Sequence, residues 1–154
     1  MAGIREPLLP VPGFCWLGSN VGIKDDRLDF GVAFAAQPCA AAGVFTRNNF
    51  PGAPVVVGRE HLSDGRLQAI VVNSKNANVA TGPGGVQDAR RICALAGEAL
   101  GVAPELVLPS STGVIGVPLP MEKLSRACGN ISAGLSRERA GLEDFARAIM
   151  TTDT

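Results

Sequence analysis

Two segments carry residue types that could do chemistry. The first is Pro109-Ser110-Ser111-Thr112-Gly113-Val114-Ile115-Gly116, where hydroxyls stand beside glycines. Glycine reaches backbone conformations closed to other residues and lets main chain approach a ligand closely. A hydroxyl and a backbone N–H aimed at one point can stabilise the oxyanion of an acyl transfer. The same string would also make an ordinary Ser/Thr-rich turn. The second segment is Asn73-Ser74-Lys75-Asn76-Ala77-Asn78-Val79-Ala80-Thr81-Gly82. Asparagine amides donate and accept, so this loop could hold a polar ligand or tie its own backbone into turns.

A nucleophile and base to work with such a segment are harder to find. No G-x-S-x-G elbow is present. The one histidine, His61, lies in Arg59-Glu60-His61-Leu62-Ser63 and reads as an exposed helical turn. Asp25-Asp26 sits in a turn, and Glu143-Asp144 near a helix N-terminus, where acids favour the dipole. Gly82-Pro83-Gly84-Gly85 precedes a helix, but Gln87 stands where a dinucleotide loop needs its last glycine, and Pro83 removes an N–H. Cys15, Cys39, Cys93 and Cys128 form no C-x-x-C pair; they read as reduced, apolar side chains rather than metal ligands. The chain therefore offers an anion stabiliser without an evident attacking group.

The 154 residues suffice for one domain with a real core, and 46% hydrophobic with 18% charged residues is a globular composition. Fourteen basic residues balance fourteen acidic ones, which gives no field for nucleic acid or a membrane surface. The longest apolar runs, such as Ala69-Ile70-Val71-Val72, are far too short to span a bilayer. Met1 to Pro10 contains no signal-peptide core, which makes a cytoplasmic setting the expectation.

The elements that must position these segments change character along the chain. Phe14–Leu17, Gly31–Ala35, Ala42–Thr46 and Val55–Val57 read as short strands, with turns at Asn20–Asp26, Gln37–Pro38 and Asn48–Gly52. Leu67–Asn73 reads as a strand buried on both faces. Ala89, Ile92, Cys93, Ala96, Ala99 and Leu100 follow helical spacing over Asp88–Leu100, and Gly101 is a natural stop. Leu106–Leu108 reads as a strand, completing a strand–helix–strand crossover. Met121, Leu124, Ala127, Cys128 and Ile131 share one helical face. Leu142, Phe145, Ala146, Ile149 and Met150 share another, in a helix expected to run almost to Thr154. Thr-Thr-Asp-Thr at such an end suggests a fragment or a processed chain.

These residues, in this order, resemble the ornithine acetyltransferase (bifunctional glutamate N-acetyltransferase) family. The likeness runs through Gly22-Ile23-Lys24 with Asp29-Phe30, Ala42 to Asn48, Ala53-Pro54-Val55, the asparagine loop, Asp88-Ala89 and Ser111 to Gly116. It continues through Leu119-Pro120-Met121 and Ala148 to Thr154; about the first ten residues and Arg126–Leu142 lie outside it.

The resemblance implies an α+β fold, a layered α/β/β/α sandwich of the ornithine acetyltransferase/DmpA-aminopeptidase type, of which this is the N-terminal (α-chain) portion. Residues 1–154 would be one domain, with 1–10 a flexible lead-in. It implies a precursor that cuts itself before a threonine, whose free amine serves as its own base. That threonine would take the acetyl group of N2-acetylornithine and pass it to glutamate in a ping-pong cycle, for arginine biosynthesis, with no cofactor and no metal. Thr112 (hydroxyl) and Gly113 (amide) would form the oxyanion hole, and Thr151, or Thr152 beside it, would contact substrate. Asn76, Asn78 and Thr81 would belong to a loop neighbouring the site. The nucleophile would come from the β chain of the same precursor, in an α2β2 heterotetramer, with small amino acids as substrates and no nucleic acid or membrane partner. One departure stands out: family members usually carry glycine where this chain has Lys75. The alternatives are a related self-processing amidase or aminopeptidase, or an acetyltransferase specialised for another pathway.

Overall fold

The computed structural model describes residues 8–151. Four strands form one mixed sheet in sequence order: β1 (Phe14–Ser19), β2 (Phe30–Ala40), β3 (Arg66–Asn73) and β4 (Val107–Ser111). The first two pairings are antiparallel, and β3 with β4 is parallel. The helices are α1 (Ala53–His61), α2 (Gly82–Leu100), α3 (Met121–Gly129), α4 (Ile131–Gly134) and α5 (Arg139–Ala148).

The core is built on one face of the sheet. Register sets Val32 opposite Val71, and Ala69 opposite Val107. Period-two alternation turns these side chains, with Phe30, to the same side. There they meet Val57 of α1, Ile92, Cys93 and Ala96 of α2, Leu124 and Cys128 of α3, and Ile131 of α4. Burying a side chain such as Leu124 or Ile131, both fully enclosed, contributes roughly 1.5–3 kcal/mol. The other face is covered over β1 and β2 by α5, which approaches so closely that a Cβ at Gly18 would overlap the Asp144 backbone. Farther along, that face opens: Ile70 is 37% exposed, so β3 is not buried on both sides as its apolar run suggested.

Other expectations are also corrected. Val55–Val57 is not a strand but part of α1. Pro54 occupies the first turn, where its missing N–H costs nothing, and Ala53, Val57 and Gly58 form the buried face. Burial of that face outweighs the β-preference of three valines. Ala42–Thr46 joins no strand of the sheet and runs as irregular chain, with Val44 fully exposed. Gln37–Pro38 does not turn the chain but lies within β2, where the register shifts between Phe34 and Cys39. The long helix α2 begins at Gly82, six residues earlier than the apolar period showed, and ends as expected at Gly101 in a left-handed cap. The last helix ends at Ala148, so Ile149 and Met150 lie beyond it.

Candidate functional site

β3 and β4 run parallel and end side by side, Asn73 against Ser111. The two loops that leave these strand ends are laced together. The Ser111 hydroxyl donates to Asn73 Oδ1 (2.7 Å), and Asn73 Nδ2 donates to the Asn76 carbonyl (2.8 Å). Thr112 N–H donates to Asn73 O, Val114 N–H to Lys75 O, and Ala77 N–H to Val114 O. The Ser-Thr-Gly turn is thus held against the asparagine loop by alternating bonds. Asn73 is buried at the centre of the lacing.

Gly113 is required twice at this crossing. Its φ of 130° lies in a region that side chains disfavour, and a Cβ there would overlap the Lys75 carbonyl. Among the described residues, neither the Gly113 N–H nor the Thr112 hydroxyl has a hydrogen-bond partner. Two adjacent donors on a fixed turn are what an oxyanion requires.

The turn forms one wall of a cleft of about 470 Å³, lined by Thr112, Gly113, Val114 and Lys75, by Lys24–Arg27, and by Thr151. The segment 20–29 owes its shape to Asp29. Its carboxylate is fully buried and accepts the amides of Val21 (2.8 Å), Ile23 (2.7 Å) and Lys24 (2.7 Å). Lys24 is buried too, and its ammonium donates to the carbonyls of Leu28 (3.0 Å) and Met150 (2.5 Å). Burial, and then the Arg27 charge, lower the Lys24 pKa, while Asp29 opposes them. Ser74 Oγ donates to the Ala148 carbonyl (2.6 Å). The last carbonyl of α5 and that of Met150, two residues beyond it, are therefore occupied, and Thr151, which follows, lines the cleft.

Of the residues singled out in the sequence, Thr112, Gly113 and Thr151 meet at the cleft. Thr152 lies outside the described residues. Asn76 stands behind the turn, its amide 3.4 Å from the Pro118 carbonyl. Asn78 and Thr81 do not face the cleft. Asn78 is buried, donates to the Gly85 carbonyl (2.8 Å) and accepts from the Thr81 hydroxyl (2.6 Å). These two brace the first turn of α2, which also absorbs the Gly82–Gly85 string. His61 is not a free surface residue: it is half-buried at the end of α1, with Nδ1 2.8 Å from the Val107 carbonyl. Sequence reasoning placed Asn73 in the candidate loop without its lacing role, and gave Lys24 no part in holding the site. An amide directly after a buried strand is a usable signal for Asn73; nothing local marks which lysine will be buried.

Comparison with known proteins agrees over most of the chain. Residues 16–154 match the ArgJ family. The chain is 48% identical over 145 residues to the arginine biosynthesis bifunctional protein ArgJ of Symbiobacterium thermophilum, covering 92% of this chain. It is 45% identical over 141 residues to the arginine biosynthesis bifunctional protein ArgJ 2 of Clostridium acetobutylicum, again covering 92% of this chain. It spans only 36% of the length of either relative. Among solved structures, ornithine acetyltransferase from Mycobacterium tuberculosis, complexed with ornithine, superposes with a TM-score of 0.90 at 38% identity. That match covers 94% of this chain and 78% of the other.

Proposed function

Because the chain belongs to the ArgJ family, we propose that it is the N-terminal part of an N-acetyltransferase that moves an acetyl group from N2-acetylornithine to glutamate. The observation that carries this reading is the cleft that Thr112, Gly113 and Thr151 line together with charged residues from segment 20–29.

In the proposed cycle, a threonine outside this chain attacks the amide carbonyl of the donor. The carbonyl oxygen becomes an oxyanion, which receives the Thr112 hydroxyl and the Gly113 amide. The threonine's own α-amine takes the hydroxyl proton and passes it to the leaving nitrogen, so collapse expels ornithine as its amine and leaves an acetyl-threonine ester. Glutamate's amine attacks that ester, the same donors receive the second oxyanion, and the threonine is restored. A fixed pair of donors suits this chemistry because it needs no reorganisation as charge develops. Thr151 contacts the amino-acid part of the substrate. The attacking threonine heads a β chain released by self-cleavage of the same precursor, and the two chains form an α2β2 assembly in the cytoplasm.

The test is incubation of the whole protein with N2-acetylornithine, followed by peptide mass spectrometry. An acetyl adduct on a threonine, discharged by glutamate to N-acetylglutamate, supports the reading. Free acetate as the sole product would instead support a hydrolytic amidase, and no adduct at all would sink both.

A further inference from the structure

Lys75 is one of two non-glycine residues in the described chain with positive φ, at 86°. A side chain other than Gly, Asn or Asp held there is strained, by an amount a glycine would relieve. The strained residue adjoins the functional turn itself: its carbonyl accepts Val114 N–H (2.8 Å) and lies where a Cβ of Gly113 would be. Its side chain is exposed at the cleft and makes no hydrogen bond or ion pair among the described residues. Nothing among the described residues therefore accounts for a lysine here.

The same cleft is lined by Asp25, Asp26 and Arg27, exposed and likewise without ion pairs among the described residues. The mouth thus carries unpaired charge of both signs. A ligand bearing both an ammonium and a carboxylate matches such a rim, and the cation beside the Thr112–Gly113 turn is Lys75.

Resting on the acyl-transfer reading above, we propose that Lys75 is a specificity-determining residue whose ammonium receives the α-carboxylate of the amino-acid substrate in the cleft. It forms no bond to the reacting carbonyl. Its contribution is ground-state and transition-state binding alike, which changes KM and leaves kcat in place.

The experiment compares, in the whole protein, an N-acetylated amino acid with the N-acetylated amine that lacks its carboxylate. Wild type, Lys75→Gly, Lys75→Met and Lys75→Arg are assayed for KM, kcat and Tm. Lys75→Gly removes both strain and charge, Lys75→Met removes charge alone, and Lys75→Arg keeps both. The expected result is that KM for the acid rises about tenfold in Lys75→Gly and Lys75→Met, equivalent to about 1.4 kcal/mol. KM for the amine analogue stays constant, and Lys75→Arg stays near wild type. Tm rises only in Lys75→Gly. An unchanged acid-to-amine ratio in Lys75→Gly and Lys75→Met, with wild type active, overturns this assignment alone. A wild-type protein that neither binds nor turns over the N-acetylated amino acid overturns the acyl-transfer reading, and this one with it.

Discussion

Lys24 and Met150 are 126 positions apart in sequence and are joined by one hydrogen bond of 2.5 Å, from the Lys24 ammonium to the Met150 carbonyl. With the Ser74 bond to Ala148, it fastens the chain after α5 beside the Ser-Thr-Gly turn. The relationship separates holding the site from acting in it. Lys24→Met keeps the apolar stem but leaves the Leu28 and Met150 carbonyls short of a donor. We expect a loss of about 1–3 kcal/mol in stability by chemical denaturation. KM should rise more than kcat falls, because the chain leading to Thr151 would lose one of its ties. A variant with wild-type KM and stability would show that the tie does not position Thr151.

Thr112 and Gly113 should behave as catalytic residues of a different kind. Thr112→Val preserves β-branching and removes the hydroxyl, which has no partner among the described residues. Stability should therefore stay within about 0.5 kcal/mol. kcat should fall by about 10²–10³-fold, the usual loss for one oxyanion donor. Thr112→Ser should recover most of it. Gly113→Ala should lose both activity and stability, since the added Cβ would meet the Lys75 carbonyl. Full activity in Thr112→Val, measured as acetyl transfer by the whole protein, would remove the oxyanion role.

Asn78 predicts the opposite pattern. Its amide serves the Gly85 carbonyl and the Thr81 hydroxyl, and it is buried away from the cleft. Asn78→Ala removes two hydrogen bonds from a buried site and should cost about 1–3 kcal/mol in thermal or denaturant unfolding. At a temperature where the variant is folded, kcat should match wild type. A large loss of kcat with unchanged stability would return Asn78 to the site.

The contrast between Thr112 and Asn78 shows what could be read in the sequence. A Ser-Thr-Gly string after a strand is recognisable because its chemistry is local: hydroxyl, amide and glycine are adjacent. The strands Phe14–Leu17 and Leu67–Asn73 are legible for the same reason, as apolar runs bounded by turn residues. Val55–Val57 is misread because its conformation is decided by what it packs against. Whether an asparagine faces a ligand or a helix turn depends likewise on a partner, here Gly85. Lys24 is the extreme case: its second carbonyl partner comes from the far end of the chain.

The two buried cysteines give a prediction in pH. Cys93 packs in α2 and Cys128 in α3, both in the core, and burial pushes each thiol from 9.0 up to about 12. The neighbouring Cys128 adds to the rise at Cys93. In the unfolded chain these thiols lose protons from near pH 9, whereas in the folded chain they keep them. Between those values the folded state holds more protons, so stability falls as pH rises. The stabilisation is complete below about pH 9 and is lost progressively toward about pH 12. Denaturant midpoints across that range should decline, and Cys93→Ala with Cys128→Ala should flatten the decline while lowering stability at neutral pH. Thiolate is also the form that alkylates. In iodoacetamide at about pH 8, the half-buried Cys15 and Cys39 should label in the folded protein, and Cys93 and Cys128 only after denaturation. Rapid labelling of Cys93 in the native protein, mapped by mass spectrometry, would mean that the α2–α3 contact opens more readily than this packing allows.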